Sequence, residues 1–146
     1  MSSEVITALI GSVSAVAVAG ASYWFTKQRE REAAWRKEKL EHYKAFVESL
    51  NGVIVEESTP EGQAAFARAC NNLNLIAPQS VIEALRVFQQ EIKTSNPSPS
   101  RERHDQFMSI LFLAIRKDLK ISNTDDAANF KVGLWASGNK TRNHLQ

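Results

Sequence analysis

The run Arg101-Glu-Arg-His-Asp105 is the densest group of ionisable side chains in the chain. His104 beside Asp105 is the pairing from which a proton-transfer site would be built, because a carboxylate can orient an imidazole that then takes or gives a proton. Their spacing speaks against that use. The residues read as the solvated first turn of a helix, where adjacent positions point about 100° apart, so His104 and Asp105 are expected not to face one another. His42 follows Arg36 by six residues and Glu38 by four, which places Arg36 and His42 on different faces of a straight helix. Cys70 is the one cysteine. It has no cation four residues to either side and falls on an apolar stripe, so it reads as a core thiol rather than a nucleophile. His42, His104 and His144 lie on separate elements and give no metal-ligand spacing. No GxxxxGK[ST], HExxH, CxxC or GxSxG is present. The sequence therefore assigns no catalytic residue, no metal and no cofactor. Arg101, Arg103, His104 and Asp105 remain a candidate polar cluster.

Composition narrows the classes further. The 146 residues suffice for one core, and 18 Lys and Arg against 16 Asp and Glu leave a formal charge of +2. That balance is far from the basic excess with which proteins neutralise nucleic-acid phosphates, so no nucleic-acid partner is expected. A single cysteine excludes an internal disulfide framework and suits a reducing compartment. Apolar residues make up 43% of the chain but crowd its beginning.

That beginning, ITALIGSVSAVAVAGASYWF at 6–25, must position everything after it. From Glu4 to Lys27 about twenty-two positions carry no charge, and as a helix they span roughly 33 Å, the thickness of a hydrocarbon core. Tyr23, Trp24 and Phe25 close the stretch as an aromatic belt would, and Lys27, Arg29 and Arg31 follow at once. The expectation is a transmembrane signal anchor over 1–26, with Tyr23, Trp24, Lys27, Arg29 and Arg31 at the membrane interface and the C-terminal part in the cytoplasm. A cleavable export signal should begin with Lys or Arg, whereas this chain begins MSSE. Gly11, Ala15 and Ala19 recur every fourth residue, the small-residue pattern through which membrane helices approach closely, and they are the candidates for self-association.

The rest reads as helices. A charged juxtamembrane helix over 27–39 continues without a break into a bundle over 40–135, and a flexible tail covers 136–146. Leu40, Tyr43, Val47, Leu50 and Ile54 form an apolar seam, widened by Trp35 and Phe46. Thr59-Pro60-Glu61 caps a second helix carrying Ala65, Phe66, Ala69, Cys70, Leu73 and Ile76. Pro78 opens a third, with Val81, Ile82, Leu85, Phe88 and Ile92 on one face. After the loop TSNPSPS, Ser100 caps a fourth whose run from Phe107 to Ile115 marks it as the most buried, ending near Asp118 to Lys120. Thr124, Asp125 and Asp126 read as the cap and first turn of a short last helix bearing Phe130, Leu134 and Trp135. The fold class expected is all-α: an N-terminal transmembrane helix running into a cytosolic antiparallel bundle of about four helices plus a short C-terminal one.

The span followed by "WRKEKLEHYKAFVESLNGVIVEESTPEGQAAF", "LIAPQSVIEALRVF", "SNPSPSRERHD" and "AIRKDL" resembles a group of small bacterial proteins with a membrane anchor and a helical cytosolic part. That resemblance implies the bacterial inner membrane, with a single pass. In outline the layout is also similar to the single-span, pore-forming accessory proteins of RNA-targeting CRISPR systems, and Arg36-x5-His42 meets the Arg-x4-6-His pattern of HEPN-type ribonucleases. Three functions are thus weighed. The first is a non-enzymatic, membrane-anchored helical module that contacts lipid, self-associates as a homo-oligomer, or docks a cytosolic protein. The second is an oligomeric pore or membrane-perturbing effector, as in anti-phage defence. The third is a nuclease or hydrolase using His42 or His104.

Overall fold

The computed structural model of the chain describes residues 3–53 and 58–134, with the side chains of residues 5–12 outside that description. Among the described residues the regular structure is all helix: α1 (Ser3–Leu50), a short 3₁₀ turn (Asn51–Val53), α2 (Pro60–Ile76), α3 (Gln79–Ile92) and α4 (Arg101–Asp118).

α1 is one rod of 48 residues, as the unbroken helix-forming sequence dictates. It stops at Leu50, where Asn51-Gly52 leads into the 3₁₀ turn. Thr59 caps α2 by accepting the Gly62 N–H at 3.0 Å, with Pro60 in the first helical position, where its missing N–H costs nothing. Pro78 is the cap residue of α3 rather than its first helical residue, and its carbonyl accepts the N–H of Val81 and Ile82. Ser100 caps α4 through the Arg103 N–H. α4 ends in a Schellman turn: the Ile121 N–H bonds the Arg116 carbonyl at 3.0 Å and the Lys120 N–H bonds that of Lys117 at 3.1 Å. Lys120 takes the left-handed position, at φ 54°, that glycine usually fills.

One core joins the C-terminal part of α1 to α2, α3 and α4. Phe46, Leu73, Val81 and Leu111 have no exposed surface. Phe88, Leu85, Cys70, Tyr43 and Leu50 are almost as deep, each large apolar side chain contributing about 1.5–3 kcal/mol. α1 and α2 run in opposite directions: Phe46 meets Phe66 with ring centroids 5.9 Å apart, and Gly52 meets Gly62. At that second crossing a Cβ built on Gly52 would lie 2.6 Å from the Gly62 Cα, so only two glycines permit it. α3 and α4 also form an antiparallel hairpin, since the end of α3 at Glu91 is bonded to the start of α4 at Arg103. The expected apolar seams are in place, with three departures. Leu40 and Trp35 are 36% and 48% exposed, so the buried seam of α1 begins only at Tyr43. Ile110 is 43% exposed on α4. Ile54 and Trp135 lie outside the described residues.

One expectation is corrected. Among the described residues no short helix follows Thr124. The Asp126 carboxylate instead accepts the N–H groups of Ala128 and Asn129 at 2.8 and 3.0 Å, and the Thr124 N–H bonds the Ser122 hydroxyl. Side chains that intercept backbone donors in this way compete with a helical ladder, and only a turn over Ala127–Asn129 forms. Among the described residues no helix is long and apolar enough to cross a membrane.

Candidate functional site

The Arg101 to Asp105 cluster sits on the first turn of α4, where Ser100 starts the helix. Its members do different things. Arg103 turns back onto Glu91, donating from Nε to Oε2 at 3.1 Å and from Nη2 to Oε1 at 3.3 Å, and it also donates to the Ser98 carbonyl. Glu91 is buried, takes the Ser100 N–H at 2.7 Å, and through its own carbonyl accepts from the Asn96 amide at 2.8 Å. The Ser100 N–H first, and the Arg103 guanidinium second, hold the Glu91 carboxyl below the usual carboxylate range. This is a clasp that closes the α3–α4 loop: Arg103 is committed to an internal carboxylate, which an amphipathic reading of α3 could not anticipate because Glu91 lies on the buried side of that helix.

His104 and Asp105 do meet, contrary to expectation: His104 Nδ1 lies 3.0 Å from Asp105 Oδ1. Side-chain torsions carry the imidazole across the gap that the divergent Cβ directions leave. The other side of the ring packs on Phe88, with centroids 5.5 Å apart. Among the described residues no hydroxyl or thiol is hydrogen-bonded to His104. Arg101 is exposed beside it. On α1, Arg36 is exposed and His42 half-buried, and no hydrogen bond joins them among the described residues. Cys70 is 2% exposed and burial pushes its thiol up, the opposite of an activated nucleophile. Among the described residues no group of His, Cys, Asp and Glu could hold a metal ion.

Two polar junctions went unseen in the sequence. Asp118, the last residue of α4, accepts from Lys39 Nζ at 2.9 and 3.0 Å and from the Tyr43 hydroxyl at 2.7 Å. Lys39 also stands 5.9 Å from the Trp35 ring centre. Burial first, then the Asp118 hydrogen bond and charge, drive the Tyr43 phenol far above its ordinary value. Farther along, Arg116 bonds Asp125 at 2.7 Å and lies 5.4 Å from the Phe130 ring centre. The Asp125 carboxyl is held low chiefly by that bond. The Val132 N–H then bonds the Ser109 hydroxyl at 3.0 Å, so the segment after α4 is strapped along it. Between strap and helix runs a shallow groove floored by Ile110 and Leu113 and edged by Glu102, Asp105 and Lys131.

Compared with family models, curated proteins and solved structures, the chain matches none. Its own geometry must therefore carry the reading.

That geometry is most unusual on α1. Every side chain described from Val13 to Glu38 is exposed. Val13, Val16 and Val18 are 66–72% exposed, and Tyr23, Trp24 and Phe25 are 58–67% exposed. Trp24 and Phe25 meet edge to face at 5.2 Å, and Lys27 stands 6.0 Å from the Tyr23 ring centre while pairing with Glu30 at 2.8 Å. Ala15 and Ala19 are exposed with them, and the surroundings of Gly11 lie outside the described residues.

Proposed function

We propose that the chain is a non-enzymatic helical module that the N-terminal part of α1 attaches to a membrane, with the α1–α4 bundle on the cytoplasmic side as the part that self-associates or docks a protein partner. One observation carries it: α1 projects from the bundle with valines and three consecutive aromatic residues uncovered on every side of the helix. Large apolar surfaces of that kind mark contact with a membrane or another protein. Uniform apolar exposure around a helix suits lipid better than a single docking face would. The aromatic triplet followed by Lys27, Arg29 and Arg31 supports the interface reading and the orientation. The polar groups of the bundle support a structural role, because Arg103, Lys39 and Arg116 are each spent on an internal carboxylate. The bacterial inner membrane is the compartment proposed with it.

Alkaline carbonate extraction of membranes from expressing cells tests the reading. The full-length chain is expected in the pellet and to leave it only with detergent. Its release by carbonate, or its recovery in the soluble fraction without treatment, would overturn the proposal.

A further inference from the structure

Resting on that reading, we infer that Arg29 and Arg31, with Lys27, form a collar that binds anionic lipid headgroups, so that the module selects negatively charged membrane over neutral membrane. The cations of the chain differ in how free they are to bind outward. In the bundle, Lys39, Arg103 and Arg116 are held by Asp118, Glu91 and Asp125. Just after the aromatic residues, Lys27 is engaged with Glu30, and Gln28 donates to Glu32. Arg29 and Arg31 are exposed and take part in none of the ion pairs among the described residues.

The arrangement then selects the ligand. At about 100° per residue, Lys27 and Arg31 fall on one side of α1 and Arg29 on nearly the opposite side, while Tyr23, Trp24 and Phe25 likewise face three ways. A macromolecule lying along the rod, such as a nucleic acid, would meet only one side of such a collar. A plane pierced or met end-on by the helix meets all of it. The spacing agrees: from Trp24 to Arg29 the helix rises roughly 8 Å, close to the roughly 5–8 Å that separates hydrocarbon from the outer edge of the headgroups. Basic residues at that depth attract anionic lipid strongly, and the attraction fades within a Debye length of about 8 Å. Arg36 and Lys37 stand a further roughly 10 Å out and contribute little.

Flotation of the detergent-dialysed full chain with vesicles tests this, using phosphatidylcholine alone and phosphatidylcholine containing phosphatidylglycerol. The wild type is expected to partition about tenfold or more in favour of the anionic vesicles, with the preference weakening in high salt. R29Q/R31Q should lose most of that preference, whereas R36Q/K37Q, which removes the same charge farther out, should change it less than about twofold. Circular dichroism checks that both variants remain helical. Equal flotation with both vesicle types, or equal losses in both double variants, would overturn the collar while leaving membrane attachment standing. Flotation with neither vesicle would remove the attachment reading and the collar with it. An R29Q/R31Q variant that keeps its vesicle preference but loses retention of single-stranded RNA in a gel shift would also overturn it.

Discussion

Tyr43 in α1 donates its phenolic hydrogen to Asp118, 75 residues later at the end of α4, at 2.7 Å, and the same carboxylate takes two bonds from Lys39. The two charged side chains are only 15% and 12% exposed, so this junction ties the exposed rod to the bundle through a largely desolvated pair. Asp118→Ala would strand an ammonium and a phenol together and is expected to cost about 2–3 kcal/mol, against about 1 kcal/mol for Tyr43→Phe. Urea unfolding measures both.

The same contact makes an optical prediction. The fold favours the protonated phenol, so its stabilising effect is intact below the ordinary phenol value of about 10 and is lost as pH rises above it. Subtracting the alkaline ultraviolet titration of Tyr43→Phe from that of the wild type should therefore show no phenolate signal from Tyr43 near pH 10 while the chain stays folded. The signal should emerge only as near-ultraviolet circular dichroism collapses.

Gly52 and Gly62 set how closely α1 and α2 approach. Gly62→Ala, a helix-favouring change in isolation, is expected instead to destabilise by about 1–3 kcal/mol, because the obstacle is backbone and cannot rotate away. A thermal melt that moves upward would contradict the close crossing.

The loop clasp predicts an acid-sensitive stability. The Glu91 carboxyl is lowered in the fold, so its stabilisation is present at neutral pH and disappears as pH falls through and below the usual carboxylate value of about 4.3. Glu91→Gln should lower the urea midpoint at pH 7, and the gap between variant and wild type should narrow steadily as pH falls below that value. A gap that stays constant across this range would separate Glu91 from the acid limb.

Lys120 occupies a left-handed turn position that suits glycine. Lys120→Gly relieves roughly 1 kcal/mol of backbone strain and gives back part of it as unfolded-chain entropy, for a net gain of about 0.5 kcal/mol. A rise in thermal midpoint with unchanged helix content is the expected result.

The local elements could be read from the chain because their causes are local. Thr59 before Pro60, Ser100 before Arg101 and the prolines of the loop between them state where helices begin, and the spacing of Leu73, Val81, Leu85, Phe88 and Leu111 states which sides are buried. The long rod of α1 and the burial of Cys70 are equally visible. The last helix was misread because Asp126 has two local uses, to favour a helix start or to bond the N–H groups of a turn, and the docking of Val132 on Ser109 favours the second. What Arg103 and Asp118 do could not be read at all. Each looks like a solvated charge in its own helix, and only the packing of α3 on α4 and of α1 near the end of α4 brings Glu91, Lys39 and Tyr43 within hydrogen-bond reach. The sequence by itself determined α1 to α4 and the apolar stretch that α1 leaves uncovered. Tertiary structure decided which charges are consumed inside the fold, because that depends on distances between residues far apart in the chain, whereas Arg29 and Arg31 stay exposed on a part of α1 that packs against nothing described.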